Sequence, residues 1–413
     1  MAAGDLELFV AWAERHHRRI LVLLIVIELA VGIGYSASLG PELRYWDERE
    51  YMQLATSLLT QHEYRFGNDL AFRPPLYPIV LAVARGMGAQ VFSLRILNFG
   101  FLAGAMVLLD RIATAAARAA AGLLAAAWVL LNPVMIYTAG TLYPQTLAGF
   151  LLLGFVALIV REATSLFGAG VVFALLVLTV PSFAPLLGVS VLWLWQTRKR
   201  GVLRPVLELA AGTALPLAAW TLRNHAVLGS WVLVSTNSGL NLLYGNSEHA
   251  TANSGVNADI GTYVSAAAGL GEVERDHYYR DMAVHWIAAN ADVAAKLYVA
   301  KLVHYFSSND RLATATETSA LRTVIATAAF VPLQLTLLAR SVLAKRFPLK
   351  PVELLLLSLY LANALLAAVF FTRTRLRVPA DFLLLALLGG LAGLAVRSPA
   401  EKDARPVARF SES

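Results

Sequence analysis

The chain of 413 residues contains no cysteine, and only 15% of its residues are charged. Without cysteine it has no disulfide, no thiolate nucleophile and no cysteine-ligated metal. Soluble proteins carry roughly 25% charged residues, so the low charge and the mean hydropathy of +0.62 argue against a soluble protein. The sequence also lacks a Walker-type phosphate loop, a Rossmann fingerprint and a Gly-x-Ser-x-Gly elbow. A nucleotide-using enzyme is therefore disfavoured.

Long apolar runs recur along the chain and predict an all-α polytopic membrane protein. They cover roughly residues 20–38, 77–90, 93–110, 119–138, 141–160, 165–181, 183–196, 204–222, 318–341, 351–371 and 380–397. Eight of these runs precede the second long polar stretch. An odd number of crossings is needed to place that stretch on the face opposite the basic N-terminal cluster. We therefore expect one pair near Pro181 to form a broken or re-entrant element. The prediction is about ten spanning helices in a single transmembrane domain over residues 1–413.

Basic clusters set the orientation of these helices. RHHRR (15–19), QTRKRG (196–201), ARSVLAKR (339–346) and a tail at about 398–413 are predicted to be cytoplasmic by the positive-inside rule. The net charge of +7 is thus explained without nucleic acid. Two long loops fall on the outer face, at about 39–76 and 223–315. Aromatic and charged residues at helical spacing in 276–306 predict juxtamembrane helices in the second loop.

Two polar segments lie in the first outer loop. The stretch RYWDEREYMQ (44–53) places Asp47 and Glu48 shortly after the first apolar run. The stretch FRPPLYP (72–78) closes the loop, and its paired prolines hold Arg73 in an extended entry to the next helix. A carboxylate at this position could act as a general base. Alternatively, the two acids are simply solvated and paired with neighbouring arginines.

Arginines occur on the outer face, where the positive-inside rule predicts few. RTRLRVP (373–379) lies between the last two runs and supplies Arg373, Arg375 and Arg377, while Arg223 lies at the mouth of an earlier run. Isolated arginines near helix ends often extend to lipid headgroups. Several of them on the disfavoured side favour binding of a fixed anion such as a phosphate.

The pattern Asp47-Glu48-x-x-Tyr51, followed by RPPLYP (73–78), resembles the membrane-embedded GT-C glycosyltransferases. The likeness is to the branch of the dolichyl-phosphate-mannose protein mannosyltransferases (glycosyltransferase family 39) and the bacterial aminoarabinose transferases that modify lipid A. Further similar segments follow in order: LNPVMIYTAGTLYPQTL (131–147), WTLRNHAVLGSWVLVSTNSGLNLLYGN (220–246) and RTRLRVPADFLLLAL (373–387). Together they span nearly the whole chain.

The resemblance implies a GT-C fold and an inverting transfer of a sugar from a polyprenyl-phosphate carrier to an acceptor hydroxyl. The acceptor would be a glycan, a lipid or a protein, at the outer, periplasmic face of the cell (inner) membrane. Asp47 would be the general base, and Glu48 would either support it or help to bind the substrate. The donor phosphate would be bound by Arg73, Arg223, Arg373, Arg375 and Arg377, with Arg375 the first choice among them.

Other residues are candidates for the sugar or the acceptor. They are Tyr51, Tyr77, Asn241 and Asn246. The tyrosines could instead belong to an interfacial aromatic belt, and asparagine in a glycine-rich loop is as often a turn former. Asp47 and Glu48 could also hold a divalent cation; no other cofactor is implied.

Two further functions use the same features. A transporter or flippase of lipid-linked glycans would bind phosphate through the same arginines. It calls for an inverted repeat and for polar residues at mid-membrane depth, and the sequence shows neither. A ligase that transfers a whole glycan from a lipid pyrophosphate would keep the GT-C fold but would need a larger cavity.

Overall fold

The computed structural model describes residues 3–161, 165–198, 201–308 and 320–395. Within these ranges the protein is helical and has no β-strand beyond one isolated bridge. The predicted cytoplasmic tail at 398–413 lies outside the described residues. So do Lys199 and Arg200 of the second basic cluster and the last residues of the second predicted outer loop, 309–315.

The helices follow one another along the chain. The first are α1 (Ala3–Arg15), α2 (His17–Ser38), α3 (Trp46–Thr60), α4 (Leu76–Gly86), α5 (Val91–Ala116), α6 (Ala119–Leu131), α7 (Pro133–Ala139), α8 (Gln145–Ile159) and α9 (Phe167–Thr179). Then come α10 (Leu186–Thr197), α11 (Leu203–Leu228), α12 (Ser238–Gly245), α13 (Gly261–Ala266), α14 (Glu272–Ala289), α15 (Ala291–Tyr305), α16 (Ala320–Leu343), α17 (Pro351–Val369) and α18 (Thr374–Ala395). Every predicted apolar run overlaps one of these helices.

Five helices in the described ranges are long and apolar enough to cross a membrane. They are α2, α5, α11, α16 over Thr323–Leu343, and α17. The pair of α6 and α7 passes the same test as one bent unit, which gives six at most by length and composition. The chain is thus confirmed as a multi-pass membrane protein, while the predicted count of about ten stays a prediction.

The bend between α6 and α7 measures 68°. It lies at Asn132 and Pro133, because proline has no N–H for the preceding turn. The Asn132 Oδ1 accepts the N–H of Val134 at 3.1 Å and of Met135 at 3.4 Å, and so begins the new helix. Helix α9 also ends near Pro181, where a 3₁₀ turn separates it from α10. The expected broken or re-entrant element at this position stays a prediction.

The bundle has two ends, named here the site end, where α2 finishes, and the far end, where α2 begins. At the far end His17 pairs with Asp110, in the last turns of α5, at 2.7 Å. At the site end the guanidinium of Arg95, in the second turn of α5, donates to the carbonyls of Gly40 and Glu42. Helices α2 and α5 are therefore antiparallel neighbours.

Later helices are also antiparallel to their neighbours. The indole of Trp193, near the end of α10, donates to the carbonyl of Pro351, at the start of α17, at 2.7 Å. Arg340, near the end of α16, forms a buried double hydrogen bond with Glu353 in the first turn of α17. The predicted count of about ten crossings corresponds to α2, α5, α6 with α7, α8, α9, α10, α11, α16, α17 and α18.

Helix α4 does not connect the two ends. Tyr77 in its first turn shares a hydrogen bond with Asn98 of α5, and the chain re-enters α5 only a few residues after Gly86. With α3, which Gly86 approaches at Leu59, α4 lies across the site end.

Lys301 of α15 fastens the second loop to the bundle. Its side chain is fully buried, and Nζ shares its three N–H donors among four oxygens within hydrogen-bond distance. These are the carbonyls of Gly245, Val369 and Phe370 and the Oδ1 of Asn246, at 2.8–3.5 Å. Burial lowers the pKa of this amine to about 8. The ammonium thus replaces missing donors at the ends of α12 and α17.

We expect Lys301→Met to lower the free energy of unfolding by about 2–4 kcal/mol, because it leaves several buried carbonyls without a donor. Thermal unfolding in detergent measures the change. Lys296→Met is the matched control, because Lys296 lies on the same helix with a side chain 81% exposed. Equal melting temperatures for the two variants would show that Lys301 is not the attachment.

Candidate functional site

The candidate site is built around Asp47, whose carboxylate lies between two arginines. Oδ1 accepts a hydrogen bond from Arg73 Nη2 at 3.1 Å, and Oδ2 accepts one from Arg375 Nη1 at 2.7 Å. The Asp47 side chain is 18% exposed. Asp47 and Arg375 are separated by 328 positions in the chain, so the fold brings the first loop and the start of α18 together.

Asp47 is placed by the first turn of α3. Acidic residues are favourable there, because the N–H groups of a helix start carry positive partial charge. Glu48 completes the cap: its Oε2 accepts the backbone N–H of Arg44 at 2.7 Å and of Tyr45 at 3.1 Å. Its Oε1 accepts the N–H of Leu142 at 2.8 Å. Glu48 is only 1% exposed, so it ties α3 to the turn before α8.

Arg73 is held by a second carboxylate, Glu50. The Glu50 Oε2 accepts hydrogen bonds from both Nε and Nη2 of Arg73, the first at 2.7 Å. The other oxygen of Glu50 accepts the indole N–H of Trp46 at 2.7 Å. The Arg73 guanidinium also lies 5.5 Å from the ring centre of Tyr51. Because three neighbours hold it, the direction of Arg73 is set before any ligand arrives.

Arg375 lies in the first turn of α18 and is less constrained. Its guanidinium carbon lies 5.4 Å from the ring centre of Tyr143, and the side chain is 35% exposed. Its Nε is buried and has no hydrogen-bond partner among the described residues. A buried donor without an acceptor is costly, so this N–H is available to an anionic ligand.

The two arginines determine the charge state of Asp47. Burial alone would raise the pKa of this carboxyl, but Arg375 and Arg73 outweigh burial and hold the pKa below its ordinary value. Asp47 is therefore ionised at neutral pH. Burial also raises the pKa of Tyr51 to about 12, so its hydroxyl stays protonated.

The other predicted phosphate ligands bind main-chain oxygens. Arg223 donates to the carbonyls of Leu70 and Tyr64, and so holds the first loop against α11. Arg373 donates to the carbonyl of Ser254 at 2.6 Å. Arg377 is 3% exposed and pairs with Asp381 in its own helix. Their predicted contact with phosphate stays a prediction, and their observed contacts position the loops around Asp47.

The residues predicted to contact the sugar or the acceptor do not all lie beside Asp47 and its arginines. Tyr51 is close to Arg73, whereas the Tyr77 hydroxyl bonds with Asn98 and its side chain is 1% exposed. Asn246 holds Lys301 and the end of α17. Asn241 is half-buried on α12.

The donor set does not fit a divalent cation. Both oxygens of Asp47 face guanidinium groups, and both oxygens of Glu48 accept main-chain N–H groups. Hard cations need several oxygen ligands that converge on one point. Among the described residues no three or more His, Cys, Asp or Glu side chains form such a group.

Sequence reasoning did not single out Glu50 or Tyr143. A signal for Glu50 exists, because residues three apart share one face of a helix and Glu50 follows Asp47 by three. Tyr143 carries no comparable local signal, since it approaches Arg375 only through the packing of α8 beside α18.

No family model and no curated protein matches the sequence. Among solved structures, the chain is similar to the crystal structure of ArnT from Cupriavidus metallidurans bound to undecaprenyl phosphate. The two share 15% sequence identity with a TM-score of 0.40, over 90% of this chain and 77% of the ArnT chain.

Proposed function

We propose that the protein is an inverting GT-C-type glycosyltransferase that moves a sugar from a polyprenyl-phosphate carrier to an acceptor hydroxyl. The observation that carries the proposal is Asp47 between Arg73 and Arg375, with the Arg375 Nε–H left without an acceptor. A carboxylate and two guanidinium groups at one end of an apolar bundle supply a base and an anion site. The lipid tail can then remain in the bilayer.

In the proposed reaction, the acceptor O–H gives its proton to Asp47 as its oxygen bonds to the anomeric carbon. The bond from that carbon to the phosphate oxygen breaks, and its electron pair leaves with polyprenyl phosphate. Arg73 and Arg375 stabilise the charge on the leaving phosphate. One displacement inverts the configuration at the anomeric carbon.

Donor binding also raises the basicity of Asp47. A phosphate on Arg73 and Arg375 competes with Asp47 for the same N–H groups. As Asp47 loses these partners, its burial becomes the dominant influence and its pKa rises. The carboxylate is therefore a weak base in the empty site and becomes a stronger base once the donor phosphate is bound.

We propose that the site end faces the periplasm and the far end the cytoplasm. The basic cluster of residues 15–19 and the loops beside Arg198 and Lys345 lie at the far end, as the positive-inside rule requires. Because α4 stays at the site end, about ten crossings remain. An odd number of crossings then precedes the second loop, so the two outer loops lie on the same face of the membrane.

The test is a donor assay with purified protein. Radiolabelled polyprenyl-phosphate sugars are incubated with the protein in detergent, and the release of polyprenyl phosphate is measured with and without candidate acceptor glycans, lipids and peptides. We expect the donor to be consumed when an acceptor is present. If lipid-linked glycan binds and crosses vesicle membranes without being consumed, the transporter alternative is correct instead.

A further inference from the structure

Helix α1 (Ala3–Arg15), at the far end, has an exposed apolar side. Leu8 is 70% exposed, Phe9 58% and Trp12 47%. The rings of Phe9 and Trp12 stack with centroids 6.1 Å apart. These three side chains form one patch, called here the α1 patch.

The opposite side of α1 is fixed to the bundle. Val10 and Ala13 are buried. Glu14 receives two hydrogen bonds from Arg118, the residue that precedes α6, at 2.6 and 2.9 Å. Because this double contact sets the rotation of α1 about its axis, the α1 patch faces away from the protein.

Exposed arginines continue from the patch along the chain. Arg15, Arg18 and Arg19 are exposed, and none of them forms an ion pair with a described residue. The next helix, α2, begins at His17 and has exposed apolar side chains, among them Val22 and Leu23, along a candidate membrane span. The patch and the arginines therefore lie where a membrane-spanning helix meets the membrane surface.

We propose that α1 is an interfacial helix that binds an anionic phospholipid surface at the far end of the bundle. The α1 patch inserts among the upper acyl carbons, and Arg15, Arg18 and Arg19 contact the headgroup phosphates. Apolar insertion next to arginines is the chemistry of interfacial helices, whose binding depends on anionic lipid. This assignment is independent of the proposed glycosyltransferase reaction.

The absence of cysteine allows a direct test in the full-length protein. Leu8→Cys carries an environment-sensitive fluorophore, and the matched control is Asp281→Cys on α14, where the native side chain is 55% exposed. Both are reconstituted in vesicles of phosphatidylcholine alone and with phosphatidylglycerol. We expect acrylamide to quench Leu8→Cys at least about threefold less than the control in the anionic vesicles. Adding Arg18→Ala and Arg19→Ala should remove most of that protection.

Three results would overturn the proposal. Equal quenching of the two labels in anionic vesicles would place α1 in water. Protection that is the same in both lipids and in the arginine variants would show that anionic headgroups are not the partner. Protection that persists in detergent and grows with protein concentration would identify a second copy of the chain as the occupant.

Discussion

Asp47→Asn is expected to lower the transfer rate by about a hundredfold or more, the loss that follows removal of a general base. Donor binding should persist or become tighter. The reason is the observed competition: Asp47 occupies one N–H of Arg73 and one of Arg375, and a neutral amide releases them for the phosphate. Transfer is measured by donor consumption, and binding by titration with a labelled polyprenyl phosphate that bears no sugar.

The pH dependence provides a control for this result. Because its pKa is lowered in the free protein, Asp47 remains ionised until the pH falls below its ordinary value of about 3.9. The ratio kcat/KM, which reports the free enzyme, should therefore show no loss from this group between about pH 5 and 7. Loss of both binding and transfer in Asp47→Asn would assign Asp47 a structural role instead.

Arg375→Ala is expected to raise the dissociation constant for polyprenyl phosphate by about 10- to 150-fold. This range corresponds to about 1.5–3 kcal/mol for a hydrogen bond to a charged group. Arg375 is the more open of the two arginines, and its Nε–H has no acceptor among the described residues. Arg375→Lys keeps the charge but loses the forked geometry, so it should fall between the wild type and Arg375→Ala.

Arg280→Ala is the matched control for charge at the surface of α14. Arg280 is 49% exposed and, among the described residues, forms an ion pair with its neighbour Asp281 alone, so its removal should leave the dissociation constant unchanged. Thermal unfolding of all three variants separates loss of binding from loss of fold. An unaltered dissociation constant in a folded Arg375→Ala protein would exclude Arg375 from the phosphate site.

Much of the helix pattern could be predicted from sequence, because apolar runs mark spanning segments directly. The run at 77–90 shows the limit. Composition alone predicts a crossing there, but α4 ends at Gly86 and its contact with Asn98 keeps it at the site end. Periodicity reports which residues avoid water, and it does not report whether a short helix crosses the membrane or lies across one end.

The candidate site could be predicted from sequence to a similar extent. Asp47, Arg73 and Arg375 were all expected on one face, and the structure brings them into contact. Sequence places a residue at one end of the bundle, but a long side chain there can point toward the site or into a neighbouring loop. Glu48 and Arg223 point into neighbouring loops and bind main-chain groups there. Such choices depend on three-dimensional packing, which no local pattern encodes.

The separation of Asp47 and Arg375 by 328 positions has a consequence for biogenesis. Asp47 leaves the ribosome early, whereas Arg375 follows only when the last described helix is being made. Throughout insertion the unfinished chain carries an acidic loop without its second arginine. The contact between Asp47 and Arg375 therefore forms only as α18 docks, so ribosome-bound or truncated chains that lack this helix lack the proposed phosphate site and should not bind polyprenyl phosphate there.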